Sequence, residues 1–182
     1  MKDSEYTYYS AFIQIMKAIS SSIDLKTVLQ LIVKSTCEMT GSKGCTLMLL
    51  DDKGENLEVK SFYGLTDHYV RKGPVAADRS IADALKGEAV IIEEAASDPR
   101  IQYAREASEE GIASIVSVPI LLKKRVMGVL RLYTSIPCRF MQDDIDFLSA
   151  IALQAGLAIE NAKVYEDAKS NSGRQAAAPP LG

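Results

Sequence analysis

Residues 111–133 read GIASIVSVPILLKKRVMGVLRLY. Two runs rich in valine, isoleucine and leucine, 112–122 and 125–134, stand on either side of the polar pair Lys123-Lys124. Composition of this kind favours β-strands, and a two-residue polar connection is typical of a hairpin. We therefore expect these two strands to form the centre of a sheet.

Three further candidate strands precede this hairpin. Residues 45–51, CTLMLLD, form an apolar run too short for a helix, DDKG supplies turn residues, and LEVKSFYG alternates with a period of two. These segments predict a second hairpin. A short β-branched segment at residues 89–93 predicts one more strand.

Three long helices are predicted from apolar residues spaced three and four apart. The first covers residues 6–20. The second begins at the N-cap Asp24 and ends at Gly41, which can adopt the left-handed conformation. The last follows the acidic residues 143–144, whose charge suits a helix N-terminus, and continues to Tyr165.

The regular spacing of apolar residues is weaker in the middle of the chain. Residues 65–78 show little periodicity and contain a Gly-Pro pair, so we interpret them as a loop long enough to move. Two short helices are predicted after this loop, one capped by Ser80 and ended by Gly87, the other over residues 101–110 and capped by Asp98.

Composition and charge restrict the function classes that fit this chain. Its 182 residues, 47% hydrophobic and 25% charged, suffice for one domain around one core. The formal charge of -3 comes from mixed acids and bases without a basic stripe, so nucleic acid is not an expected partner. We divide the chain into a lead-in helix at residues 1–20, one domain at residues 21–166, and a tail at residues 167–182. The tail's composition fits either a disordered interdomain linker or residues left from cloning.

The cellular environment is inferred from cysteine usage and hydropathy. Cys37, Cys45 and Cys138 are odd in number and widely spaced, and they show no CxxC or Cys/His spacing that would suggest a zinc site. No apolar run approaches the length that spans a bilayer, and the polar N-terminus lacks a signal-peptide pattern. We therefore expect a reduced, cytoplasmic protein with no metal and no membrane partner.

Several strings occur in order over residues 9–166 and resemble those of the GAF family. They are Asp24-Leu25, TLMLLDDKG, Gly87 before VII, Asp98-Pro99-Arg100, the hairpin quoted above and ALQAGLAIENAKVY. The resemblance implies an α/β (α+β) fold that is GAF-like and PAS-related. In it, a central antiparallel sheet of five to six strands carries the N- and C-terminal helices on one face. Short helices and loops cover a pocket on the other face.

The resemblance also implies a range of ligands, since GAF domains include binders of cyclic nucleotides, bilins, haem and small metabolites. The Asn-Lys-x-Phe-Asp-Glu signature of the cyclic-nucleotide binders is absent, and residues 65–111 hold no cysteine for covalent bilin attachment. His68 lies in the mobile loop, where an exposed side chain is the expected state. The three cysteines are too dispersed for the redox site of the methionine sulfoxide reductases in this family.

We therefore predict a non-catalytic regulatory module that binds an unidentified small molecule, needs no cofactor, and signals through its terminal helices. The output domain or protein that it controls is expected outside this chain. The alternative prediction is a ligand-free dimerisation module. Cyclic-nucleotide binding and a reductase-like redox activity are the remaining alternatives.

Two sets of residues are predicted to carry these functions. The pocket candidates are apolar, aromatic or small polar residues of the strands and short helices: Phe62, Tyr63, Ile81, Ile91, Ile101, Tyr103, Ala104 and Ser114. The candidates for a homodimer interface are apolar and small residues of the first and last helices, since small residues let helices approach closely: Phe12, Met16, Leu148, Ala152, Ala155 and Ile159.

Overall fold

The structure is a computed structural model, and it describes residues 13, 16, 17 and 24–176. Ile13, Met16 and Lys17 are helical. The rest of the helix predicted over residues 6–20, including Phe12, lies outside the described residues, as do residues 177–182 of the predicted tail.

Six strands form one sheet within the described ranges, with the spatial order β3-β2-β1-β6-β5-β4. The strands are β1 (Gly44–Leu50), β2 (Asn56–Tyr63), β3 (Val75–Ala76), β4 (Val90–Ile92), β5 (Ser114–Leu122) and β6 (Arg125–Thr134). Every neighbouring pair is antiparallel. Both predicted hairpins and the predicted sheet class are confirmed, with β5 and β6 inside the sheet.

The connection between β5 and β6 is a two-residue turn with an uncommon backbone. Lys123 and Lys124 both have positive φ, at 48° and 67°. Positive φ at both central residues defines the type I′ turn, whose twist matches that of the strands it joins. The polar pair therefore fixes the register next to the turn, where Leu122 pairs with Arg125. The register then shifts by one residue, so that Ile120 pairs with Gly128.

Two helices cover one face of the sheet. The first described helix, α1 (Leu25–Thr40), begins as predicted, because the Asp24 carboxylate accepts a hydrogen bond from the Thr27 backbone N–H at 3.0 Å. It ends as predicted at Gly41, where φ is 61°.

The last helix, α5 (Gln142–Ala176), is longer than the sequence pattern predicted. At its start, the Asp144 carboxylate accepts a hydrogen bond from the Met141 backbone N–H at 2.9 Å, so an acidic residue supplies the N-terminal contact. Its end lies beyond Tyr165, the last residue of the predicted apolar pattern. The prediction ended this helix where the regular spacing of apolar residues ends, but the helix continues beyond that point.

The main core lies between these helices and the sheet. Alternate side chains of the central strands point to this face and pack against α1 and α5, as expected for a period of two. Its strand residues are Cys45, Leu47, Val116, Val118, Ile120, Leu130 and Leu132, and its helix residues include Ile32, Val33, Leu148, Ile151, Ala152, Ala155 and Ile159. A Cβ at Gly156 would lie 2.9 Å from the Leu121 carbonyl oxygen, so this glycine lets α5 approach β5 closely.

The segment predicted as a loop at residues 65–78 contains regular structure. It holds a short helix, α2 (Asp67–Val70), and the edge strand β3. The Thr66 hydroxyl accepts a hydrogen bond from the Tyr69 backbone N–H at 3.2 Å and caps α2. The prediction missed these elements because each is too short to develop a periodic pattern.

The two short helices differ from their predicted bounds. Ser80 ends the helix α3 (Ala77–Ser80) instead of starting one, and a 3-10 turn at Ala84–Lys86 then ends at Gly87 as predicted. The second helix, α4 (Ala104–Glu109), starts later than predicted. The reason lies at Asp98, whose carboxylate accepts from the Arg100 backbone N–H at 2.9 Å and closes a local turn instead of capping α4.

Candidate functional site

The face of the sheet opposite α1 and α5 is covered by α2, α3, α4 and the connecting segments. Two smaller apolar clusters lie there, one around Met48, Ile81 and Val129, the other around Tyr69 and Tyr133. A cavity of about 20 Å³ lies where residues of both clusters meet, which is room for about one water molecule. Its described lining is Tyr69, Lys72, Val75, Ile101, Gln102, Tyr103, Ile115 and Arg131.

Arg131 brings a positive charge into the middle of the sheet. It lies on β6, its exposed fraction is 5%, and its Nε donates a hydrogen bond to the Ser117 hydroxyl on β5 at 2.8 Å. Beside it, the Thr46 and Tyr133 hydroxyls are 3.2 Å apart. This face of β5, β6 and β1 therefore carries a strip of polar groups within an otherwise apolar surface.

Lys72 brings a second positive charge to the cavity from the opposite wall. Its Nζ lies 3.6 Å from the centroid of the Tyr69 ring, donates to the Tyr69 carbonyl at 3.0 Å, and is 5.8 Å from the centroid of the Tyr103 ring. Burial, and then the charge of Arg131, lowers the pKa of Lys72 from 10.5 to about 8, while Glu106 and Glu110 act in the opposite direction.

The lowered pKa makes Lys72 a source of pH-dependent stability. Between about pH 8 and pH 10.5 the unfolded chain holds a proton on Lys72 that the folded protein has released, so this residue's contribution to the free energy of unfolding rises with pH in that window. We expect Lys72→Met to raise the free energy of unfolding by about 2 kcal/mol at pH 7 and by less at pH 10. Urea unfolding at both pH values measures this, and Arg71→Met, at an exposed neighbour, should change little. An equal gain at both pH values would contradict a lowered pKa.

One end of the segment above the cavity is held by a buried carboxylate. We call residues 65–74 the lid. Glu110, which is buried, accepts hydrogen bonds from the backbone N–H of Thr66, at 3.1 Å, and from its hydroxyl. Lys43 lies 3.6 Å from the same carboxylate. Gly64 precedes the lid with a φ of 75°, a conformation that glycine adopts without steric cost.

The other end of the lid is held by neutral hydrogen bonds. The Tyr103 hydroxyl donates to the Pro74 carbonyl at 2.9 Å, and the Gln102 side-chain carbonyl accepts from the Ala76 backbone N–H at 2.9 Å. Gly73 has a φ of 130°, and a Cβ there would lie 2.6 Å from the Tyr103 hydroxyl. The lid is therefore fixed at both ends by polar contacts next to glycines, and between them by the buried Tyr69 ring, which packs edge-on against Tyr133.

Four of the predicted pocket residues lie on this face of the sheet. Ile101 and Tyr103 line the cavity directly. Phe62 and Ile81 belong to the two apolar clusters around it. Ala104, the first residue of α4, is exposed.

The other three predicted pocket residues lie on the opposite face or at its edge. Tyr63 and Ile91 pack against the helix-side core, because successive strand residues point to opposite faces. Ser114 donates to the Glu93 carbonyl at 2.7 Å and accepts from the Cys138 backbone N–H at 2.9 Å, so its hydroxyl serves the backbone. The prediction assigned consecutive strand residues to the pocket, although only every second side chain of a strand points to a given face.

The predicted interface residues of α5 are core residues of a single chain. Leu148, Ala152, Ala155 and Ile159 are all almost fully buried against the sheet and α1. A stripe that packs on a sheet and one that packs on a partner helix look alike in sequence, and the structure assigns this one to the sheet. Three exposed apolar residues of α5 form a different stripe: Leu153, Leu157 and Val164. Of the other candidates, Met16 is half-buried and Phe12 is not described.

The cysteines and the histidine lie away from the cavity. Cys37 and Cys45 are buried in the helix-side core, where burial raises the pKa of both thiols, and Cys138 precedes α5. A raised pKa disfavours the thiolate, which is the reactive form of cysteine. The His68 side chain is exposed on α2, and its Nε2 is 4.0 Å from the Glu109 carboxylate.

The two cations of the cavity were missed by sequence reasoning, for different reasons. Arg131 carried a signal, since it is a lone charge inside the apolar run VLRLY of a predicted central strand. Lys72 carried none, because the segment around it was interpreted as a loop, where exposed lysines are ordinary.

Comparison with known proteins adds a family and a sequence relative. A family profile described as "GAF domain" matches residues 22–160. A protein named "Methyl sulfide methyltransferase-associated sensor" from Methanosarcina acetivorans is 26% identical over 168 residues. That alignment covers 88% of this chain but only 17% of the relative, so this chain spans about a sixth of its length.

Solved structures show the same fold. The GAF domain of a phosphoenolpyruvate-protein phosphotransferase from Coxiella burnetii superposes with a TM-score of 0.79 at 19% identity, covering 89% of this chain and 98% of that one. The free methionine-R-sulfoxide reductase of Neisseria meningitidis superposes with a TM-score of 0.74 at 19% identity, covering 87% and 91%. In the part of this chain that the structure describes, no helix is both long and apolar enough to cross a bilayer.

Proposed function

Because this chain belongs to the GAF domain family, we propose that it is a non-catalytic sensory module that binds a small molecule under the lid and signals through its terminal helices. The observation that carries the proposal is the cavity itself. It lies on the face opposite α1 and α5, combines apolar walls with two cations, and is covered by the lid, which carries glycines with positive φ at or beside its two ends, Gly64 and Gly73. The sequence relative is named as a sensor, which is consistent with this role.

The path for a signal is short. Arg131 faces the cavity, while its neighbours Leu130 and Leu132 pack in the helix-side core. A ligand that moves β6 therefore acts on part of the sheet surface under α5, and it reaches the larger part through the neighbouring strand β5. For this to act as a switch, the small molecule must bind one arrangement of β6 and α5 more tightly than another.

The absence of catalysis is proposed from the chemistry at the cavity. Its described lining residues include no cysteine, histidine or carboxylate, so neither a thiol nucleophile nor the most common general base is among them. The one lysine there, Lys72, has its Nζ bonded to the Tyr69 carbonyl. The buried thiols Cys37 and Cys45 lie on the other side of the sheet. This arrangement does not favour the reductase chemistry of the Neisseria meningitidis structure.

The second candidate is dimerisation without a ligand. It is favoured by the apolar residues Leu153, Leu157 and Val164, which are exposed on α5 at spacings of four and seven. Paired helices from two copies would cover such a stripe. The two candidates are compatible, since a sensor can also be a dimer.

Native mass spectrometry of the protein, purified without refolding, tests both candidates. The sensory proposal predicts an added mass that is released on denaturation, in fresh protein or after incubation with a deproteinised extract of the expression host. Val75→Phe, which fills the cavity from β3, should lose that mass. A spectrum with the bare chain under both conditions would contradict the sensory proposal, and a bare dimer would favour the second candidate.

A further inference from the structure

We propose that the cavity under the lid takes a small organic anion, with its carboxylate or phosphate group between Arg131 and Lys72 and its apolar body against Tyr69 and Tyr103. This inference rests on the proposed function and names the chemical class of its ligand. Three features of the cavity support it: the two positive charges, the residues of its walls, and the lid that covers it.

The first argument is electrostatic. Arg131 and Lys72 come from different elements and line the same cavity, and Arg131 is 5% exposed. Lys72 is half-buried. Two like charges placed together with reduced access to water destabilise each other, and an anion between them offsets the repulsion and the partial loss of hydration. Lys72 itself contacts the carbonyl and the ring of Tyr69. Among the described residues, its ammonium has no carboxylate at ion-pair distance.

The nearby acids do not fill this role. Glu110 is occupied at the edge of the lid, where it accepts hydrogen bonds from Thr66 and lies 3.6 Å from Lys43. Glu106 influences Lys72 from α4 but is not among the described residues that line the cavity. The cavity wall is thus positive, while the acidic groups stand outside it.

The second argument is the chemistry of the walls. A guanidinium and an ammonium are the side chains that bind carboxylates and phosphates best, through charge-assisted hydrogen bonds. Tyr69 and Tyr103 supply ring faces next to Lys72, and Ile101 and Ile115 supply aliphatic surface. An anionic head on a flat apolar body matches both halves of this lining.

The third argument concerns the lid. A cavity of about 20 Å³ is too small for any organic anion, so a ligand enters only when the lid moves. The contacts to be broken include the hydrogen bonds of Thr66 to Glu110 and of Tyr103 to Pro74. Opening must also lift the buried Tyr69 ring away from Tyr133. Because Lys72 belongs to the lid, an anion bound to Arg131 would attract the Lys72 ammonium, and the lid would close over the anion.

Binding of three matched probes tests the proposal on the intact chain. Benzoate and phenyl phosphate carry an anionic head on a flat ring, and benzamide is a neutral counterpart of benzoate. Titrations followed by 1H–15N correlation spectra should show benzoate or phenyl phosphate binding at least about tenfold more tightly than benzamide. Which of the two anions binds more tightly assigns the head as carboxylate or phosphate.

Variants identify the residues responsible. Lys72→Met and Arg131→Met should each weaken binding of the preferred anion by about tenfold or more and leave benzamide unaffected. Arg125→Met, at the exposed start of β6, and Arg71→Met, next to Lys72, are the matched controls and should bind the anion as the unaltered chain does. Lys72→Met keeps the test decisive if Arg131→Met fails to fold.

Three results would overturn the proposal. The first is equal affinity for benzoate, phenyl phosphate and benzamide, and the second is unchanged anion affinity in Lys72→Met. The third is no binding of either anion at about 10 mM, near the weakest affinity that such a titration resolves. Equal affinity, or an uncharged molecule released in the mass spectrum, would leave the sensory proposal standing and refute the ligand class alone. A bare chain in that spectrum refutes the sensory proposal itself.

Discussion

Replacing Leu148 with alanine is expected to lower the free energy of unfolding by about 3 kcal/mol, whereas Leu153→Ala is expected to lower it by less than about 0.5 kcal/mol. Both leucines lie on α5 within two turns of each other. Leu148 is 2% exposed and packs in the helix-side core, while Leu153 is 49% exposed. The same substitution therefore creates a cavity at one position and removes an exposed side chain at the other.

Urea unfolding at low protein concentration measures the two values, and the pair serves as its own control for changes in helix propensity. The comparison distinguishes a stripe that holds α5 to its own sheet from one that holds it to a second chain. If Leu148→Ala were nearly neutral in the dilute protein and harmful only to association, the assignment of this stripe to the core would be wrong.

Gly128→Ala is expected to lower the free energy of unfolding by about 3 kcal/mol or more, a large cost for a single methyl group. A Cβ at this position on β6 would lie 2.7 Å from the Leu49 Cα and closer still to the Met48 carbonyl oxygen of β1. Both atoms belong to the backbone, so relief requires the β1–β6 pair to separate. That pair joins the two halves of the sheet.

Gly54→Ala provides the contrasting case. Gly54 has a φ of 73°, and a Cβ there would meet open space, so only the left-handed backbone opposes the substitution. We expect a loss of about 1 kcal/mol there. Thermal and urea unfolding of both variants measure the difference, and an equal loss at the two glycines would show that close strand packing is not what requires Gly128.

The strands and long helices could be predicted because their signals are local and repeated. The apolar runs on either side of Lys123-Lys124 indicate strands, and Asp24 indicates the start of a helix. Each signal lies within a few consecutive residues. The lid could not be predicted in this way. Its helix α2 and the edge strand β3 that follows it are only four and two residues long. Both depend on contacts with Glu110, Gln102 and Tyr103 far along the chain.

The structure brings only some of the predicted pocket residues to the lid side of the sheet, and the reason is geometric. Placing Phe62 and Tyr63 in one pocket contradicts the alternation of a strand, and only the register with β1 decides which of the two faces the cavity. Arg131 could have been found, because a charge within VLRLY is costly unless it has a purpose. Lys72 could not, because its burial depends on how the lid folds over the sheet.

Along β6, alternate side chains face the lid side of the sheet and the helix-side core. Val129, Arg131 and Tyr133 face the lid side, and Leu130 and Leu132 face the helices. Under the proposed function, substitutions at the odd positions change ligand recognition, while the even positions keep the helix-side core packed. On that proposal, the lid-side residues of this single strand could be redesigned to alter ligand preference with little effect on the packing of α5 against the sheet.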